Sequence, residues 1–449
     1  MNSFDDSASS RSEYYETQED QSVNTSATDT LGDILQRRFS RRDFLRGSLV
    51  VSVMGEWMMS PPVALADVET SIRYEGVRTV SSRFSFSEIS HGVDENHHVA
   101  PGYYSDILIR WGDKVLADAP DFDPFNQSAA SQLKQFGYNN DFIGFVPLPF
   151  GSDNSEHGLL CVNHEYTDEE VMFPGLGKYD EAHSKASHKI VDIEMACHGG
   201  SVIEIRKVQG KWQVVVDSQY ARRISAYDTE IRISGPAAGS DRMKTSTDTT
   251  GTRVIGTINN CAGGITPWGT YLMAEENFHY YFSGNLDGHP EAHNYARYGV
   301  PNDRFIWGRY YKRFDINAEP NEANRFGWIV EVDPLDPDST PVKRTALGRF
   351  KHEGAQCIVN PDGRLVIYSG DDQRFEFLYK FVSEGKFDPV NRDANMDLLD
   401  RGTLYVARFN DDGSLDWLPL TYQNPVLRND GSFRSQADIL IETRRAATL

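Results

Sequence analysis

Gly269-Thr270-Tyr271-Leu272-Met273-Ala274-Glu275-Glu276-Asn277 reads as a glycine, a short apolar strand, and then a cluster of acids and an amide. The pattern recurs at Gly158-Leu159-Leu160-Cys161-Val162-Asn163-His164-Glu165 and at Gly363-Arg364-Leu365-Val366-Ile367-Tyr368-Ser369-Gly370-Asp371-Asp372. A second type of segment follows each in turn: Ser201 to Ile205, Gly327 to Val332, and Gly402 to Arg408. Short apolar runs between turn residues are strand signals, and Gln209-Gly210, Asp362-Gly363 and Asp412-Gly413 supply hairpin turns. Long helical periodicity is scarce after residue 67. Radial repetition of short antiparallel sheets predicts an all-β chain of the β-propeller type, whose innermost strands line one channel. Unequal spacing of the repeats implies large insertions; 226–253 and 277–327 are expected as loops over one face. If the acid-ended strands are the inner ones, their carboxylates converge at the channel mouth.

Composition narrows the class. The 449 residues carry 66 acidic and 45 basic side chains, a formal charge of −21, which excludes a binder of nucleic-acid phosphates. Apolar residues at 39% and aromatics at 12% are enough for a large core. The four cysteines form no CxxC pair, so a zinc ribbon or a disulfide framework is not expected. Residues 1–39 are polar and acidic. Ser40-Arg41-Arg42-Asp43-Phe44-Leu45-Arg46-Gly47, the mild apolar stretch after it, and Ala64-Leu65-Ala66 read as a twin-arginine (Tat) export signal with a small-x-small cleavage site. The expected division is a 1–66 extension and signal, then one 67–449 domain. Its partner is the Tat machinery, its location periplasmic or extracellular, and its state a monomer with no membrane span after cleavage.

Converging carboxylates repel one another, and bound cations relieve that repulsion. Oxygen donors favour Ca²⁺ or Mg²⁺, with Fe³⁺ also suited to carboxylate. In Gly256 to Phe278, Cys261 stands just before Gly263-Gly264 and close to the acid-ended strand, which makes its thiolate a candidate ligand. No Gly-x-Ser-x-Gly elbow is present, so a serine nucleophile is not expected.

The Tat leader, Asn163-His164-Glu165-Tyr166, the Cys261 to Phe278 stretch, Arg349-Phe350-Lys351-His352-Glu353-Gly354-Ala355 and Gly370-Asp371-Asp372-Gln373-Arg374-Phe375-Glu376 together resemble the PhoX family of secreted bacterial alkaline phosphatases. The resemblance implies a six-bladed propeller hydrolysing phosphomonoesters at a mixed Fe³⁺ and Ca²⁺ cluster. It implies that Cys261 bridges two ferric ions and that Glu353 is a ligand. It carries over Glu275, Glu276, Asn163 and Glu165 as acids and an amide near the metals, with Asp371 beside them at the channel mouth. Family members continue beyond the final Arg444 to Leu449 segment, so the resemblance also implies a C-terminally incomplete propeller. The phosphate-binding arginine is then expected past residue 449, and turnover by this chain is in question. A secreted calcium-binding propeller without turnover is the alternative reading.

Overall fold

The structure, a computed structural model, describes residues 23–24, 29–38 and 86–449. The export signal expected over residues 40–66 lies outside the described residues. Residues 29–107 cluster apart from the rest; their described part holds a helix, Leu31–Arg38, and an irregular stretch with Phe86, Tyr104 and Ile107 exposed. The site belongs to the other unit, whose described part is residues 23–24 and 108–449.

That unit is built of three sheets. The first runs in the order β1 (Asn140–Pro147), β2 (His157–His164), β3 (Gly199–Val208), β4 (Lys211–Val214), all antiparallel, with β5 (Arg222–Ile224) on the other half of β3. The second comprises β6 (Glu230–Ser234), β7 (Arg253–Ile255), β8 (Asn260–Ile265), β9 (Tyr271–Glu275), β10 (Ile329–Val332) and β11 (Val342–Arg344), in the spatial order β7-β6-β11-β10-β9-β8. The third is a meander: β12 (His352–Val359), β13 (Arg364–Asp371), β14 (Leu378–Lys386), β15 (Gly402–Phe409), β16 (Leu415–Pro419). The anticipated turns close hairpins, with Gly210, Gly363 and Gly413 at φ 81, 87 and 83°. All three acid-ended segments are the second strands of hairpins, not the edge strands.

The two insertions are packed structure rather than loops. Residues 230–234 form β6, which alternates buried Ile231 and Ile233 with exposed partners and pairs parallel to β11. Residues 277–327 bring Tyr281, Phe305, Trp307, Phe314 and Phe326 into one aromatic core, with Tyr281 and Phe305 stacked at 4.6 Å. Fully buried aromatics of this size each contribute roughly 4–6 kcal/mol of apolar transfer, as an upper bound. Their polar tips are satisfied: Trp307 Nε1 donates to Glu194 Oε2 at 3.0 Å, and the Tyr281 hydroxyl pairs with His198 Nε2 at 2.8 Å.

Three edge strands, β1, β8 and β12, face one another, with β8 in the middle. Gly264 permits this approach, because a Cβ there would fall 2.1 Å from the Ala355 carbonyl oxygen on β12. Each edge strand begins where its hairpin partner ends, so the starts of β1, β8 and β12 and the ends of β2, β9 and β13 share one mouth. Among the described residues, no helix is long and apolar enough to cross a membrane.

Candidate metal centre

Each of the three hairpins opens with the same backbone contact. Glu165 N donates to Asn139 O (3.0 Å), Glu276 N to Asn259 O (2.9 Å), and Asp372 N to Lys351 O (3.0 Å). Asn139 and Asn259 both adopt φ 47°, the left-handed region that asparagine tolerates best after glycine. Two residues after each acceptor stand Asp141, Cys261 and Glu353. The first strand of every hairpin then carries a register shift. A bulge bends its strand and re-aims the side chains beside it. Three topologically equivalent pairs result: Asp141 with Glu165, Cys261 with Glu276, and Glu353 with Asp372.

Cys261 is the hub. Its Sγ lies 3.3 Å from Glu353 Oε2 and 3.4 Å from Asp141 Oδ2. Two groups of potential ligand atoms, Asp141–Glu165–Cys261 and Cys261–Glu276–Glu353, each fall within 4.8 Å of one another and share the sulfur. Burial pushes the Cys261 thiol far up, and Glu165, Glu276, Glu353 and Asp141 push it further. Burial raises Glu165 to about 8, helped by Asp141 and Glu353. Burial likewise raises Glu276 well above the carboxylate range, against the pull of Lys351. Glu353 is raised by burial, then by Asp372 and Asp141, although its contact with Cys261 opposes the shift. A thiol and carboxyls gathered so tightly cannot all ionise without a cation among them. The donor set, one sulfur with hard oxygens, fits metal ions.

Two cations lie beside these acids. The Arg304 guanidinium lies over the rings of Tyr280 (4.6 Å) and Tyr166 (5.9 Å), and its charge favours the ionised form of Glu165. Lys351, buried, donates to Gln373 Oε1 at 2.6 Å.

Of the ligands expected from sequence, Cys261, Glu353, Glu276 and Glu165 come together. Glu275, Asp371 and Asn163 do not, and each is occupied elsewhere. Glu275, on the opposite face of its strand from Glu276, accepts from Lys343 Nζ at 2.7 Å, from Thr257 and from the Gly327 and Trp328 amides. Asp371 forms a buried two-pronged ion pair with Arg444, at 2.5 and 2.7 Å. Asn163 receives the Tyr271 hydroxyl on its carbonyl and donates its amide to the Cys261 and Ala262 carbonyls, so it holds the backbone of the cysteine. Sequence reasoning missed Asp141 and preferred Asp371 to Asp372. The missed signal was the Asn139-Asn140-Asp141 start of β1, which parallels Asn259-Asn260-Cys261. His164, His198 and His352 serve as supports: His352, for example, bridges Ser369 Oγ and the Gly348 carbonyl.

No curated protein matches the chain. Its structure is similar to that of Pseudomonas fluorescens PhoX in complex with vanadate, a transition state analogue, with 43% sequence identity and a TM-score of 0.73. The match covers 81% of this chain, and the chain spans 63% of that protein's length. The family described as alkaline phosphatase PhoX matches residues 84–449, the whole sheet-bearing unit with its cysteine-centred mouth, and the chain belongs to that family.

Proposed function

We propose that this site performs metal-dependent hydrolysis of phosphomonoesters. The observation that carries the reading is the ring of raised carboxyls around Cys261, repeated in register on three hairpins. Cys261, Asp141, Glu165, Glu276, Glu353 and Asp372 would hold the ions, and the set suits Fe³⁺ with Ca²⁺. Such ions, when bound, supply Lewis-acid stabilisation of phosphoryl oxygens. The protein's own residues do the rest. Asn163 fixes the Cys261 backbone and Tyr271 fixes Asn163, so the sulfur is pre-placed. Arg304 and the buried Lys351 place positive charge beside the acids, which lowers the electrostatic cost of bringing a phosphate dianion to the mouth. The likeness to a vanadate-bound PhoX supports this substrate class. The three convergent edge strands support reading the sheets as blades of a six-bladed-type propeller. Export through the Tat route to the periplasm or beyond, as a monomer, completes the proposal.

The test uses the full chain supplied with Fe³⁺ and Ca²⁺. Vanadate binding and p-nitrophenyl phosphate turnover at alkaline pH are expected, with iron content falling sharply in Cys261→Ser. Full iron retention by that variant would sink the thiolate assignment. Calcium uptake without vanadate binding would favour a non-catalytic calcium-binding module instead.

A further inference from the structure

Between β2 and β3 the chain runs through three short helices, Glu169–Met172, Tyr179–Lys185 and His188–Cys197. Each brings one ligand-type side chain to the same buried place: Glu169, His183 and Glu194, all almost wholly shielded from solvent. His183 Nδ1 lies 3.7 Å from Glu169 Oε1, beyond hydrogen-bond reach. The Glu169 carboxyl also bears directly on that of Glu194, whose Oε2 accepts from Trp307 Nε1 at 3.0 Å. Glu169 is therefore the common neighbour of the other two. Among the described residues, nothing hydrogen-bonds to Glu169 Oε1, to Glu194 Oε1 or to either ring nitrogen of His183. Gln127 Oε1 and Thr167 Oγ1 are buried and unpaired as well. Gln127 Nε2 donates to the Met172 carbonyl, at the end of the first helix, at 2.6 Å. Buried polar atoms are nearly always paired, and so many together point to a bound species.

We propose that Glu169, His183 and Glu194 form a structural site for a transition-metal dication of the Zn²⁺ type, sharing no residue with the Cys261 centre. An imidazole beside two carboxyls suits Zn²⁺ or Mn²⁺ better than Ca²⁺, which takes oxygen ligands. The spacing agrees. With ligand bonds of about 2.1 Å, donors 3.7 Å apart subtend roughly 120° at one ion, a normal angle for three or four ligands. An ion seated on Glu169 draws the outer two side chains onto itself. Burial, and then Glu169, hold the Glu194 carboxyl protonated in the metal-free fold, and a cation takes that proton's place. Met172, Ile193 and Cys197 pack together on the same helices, so the surroundings are apolar and the ion's role is to hold rather than to react. What it holds is a connection made of helices only 4, 7 and 10 residues long. Glu165, one of the carboxyls around Cys261, stands four residues before Glu169, so the clamp also steadies that side of the metal centre.

The experiment titrates Zn²⁺ into the full chain carrying Cys261→Ser, which removes the competing thiolate, and into the same chain with His183→Gln or Glu194→Gln added. Calorimetry and elemental analysis after dialysis give the zinc retained, and amide hydrogen exchange is followed over 169–197. The expected result is one tightly held zinc equivalent with the triad intact, lost in both added variants. Zinc should slow exchange over 169–197 only where it is retained. Uptake equal in all three proteins would place the ion on the carboxyls around position 261 and overturn the site, as would no tight uptake at all. Should His183→Gln fail to fold, Glu194→Gln decides alone, since it keeps the shape of the side chain and the contact from Trp307. Neither readout depends on phosphatase turnover.

Discussion

Glu275 and Glu276 are neighbours with opposite fates, and the pair tests how far chemistry is set by strand parity. Glu275 neutralises Lys343 where both side chains are fully buried. Removing one partner of such a pair leaves an uncompensated charge and costs about 3–5 kcal/mol. Glu275→Gln is therefore expected to lower the melting temperature steeply, by calorimetry. Glu276→Gln removes a carboxyl already held neutral by its surroundings, so the metal-free protein should melt no lower while its bound iron and calcium, by elemental analysis, drop. Asp371→Asn and Asp372→Asn should divide in the same way. The first strips Arg444 of its partner and destabilises the fold; the second weakens metal binding alone. The opposite pattern in either pair would mean that the faces have been assigned the wrong way round.

Parity is also where the sequence stopped speaking at the level of elements. An apolar strand ending in two acids announces that one acid faces each side, but the period of two carries no label for the axis. The label comes from long-range partners: Lys343 arrives from 68 residues away and Arg444 from 73. Glu165 and Glu276 were legible because acids close an otherwise apolar run, Cys261 because it stands just before Gly263-Gly264 and near an acid-ended strand, and Glu353 only through the family resemblance. Asp141 was not, since it stands alone at the start of its strand, ahead of the apolar run. The insertion strand β6 was hidden for another reason: Glu230-Ile231-Arg232-Ile233-Ser234 is too short to stand out from a loop. The approach of β8 to β12 was signalled by Gly263-Gly264. Gly264→Ala would drive a methyl into a backbone carbonyl that cannot rotate away. Expected is a displaced β12, weaker iron binding from the lengthened Cys261–Glu353 contact, and a lower melting temperature; unchanged iron affinity would show that the sheets meet through side chains instead.

Across the whole molecule, the raised carboxyls set how stability follows pH. Glu165 holds its proton up to about 8 in the metal-free fold, against 4.5 as its ordinary value, and Glu276 and Glu353 are shifted the same way. Between those limits the folded chain binds more protons than the unfolded one, so stability falls as pH rises through the window. The chelated protein should melt lower at pH 8 than at pH 5, while supplied metal should flatten or reverse the trend. A chelated protein with a pH-independent melting temperature would mean the acids are already compensated. The equivalence of the three hairpins has a last consequence. Every sheet lends the centre two donors, so one undocked sheet withholds a third of the set at a stroke. The ion thereby takes attendance: tight loading certifies that all three sheets have arrived, and a half-assembled chain is passed over.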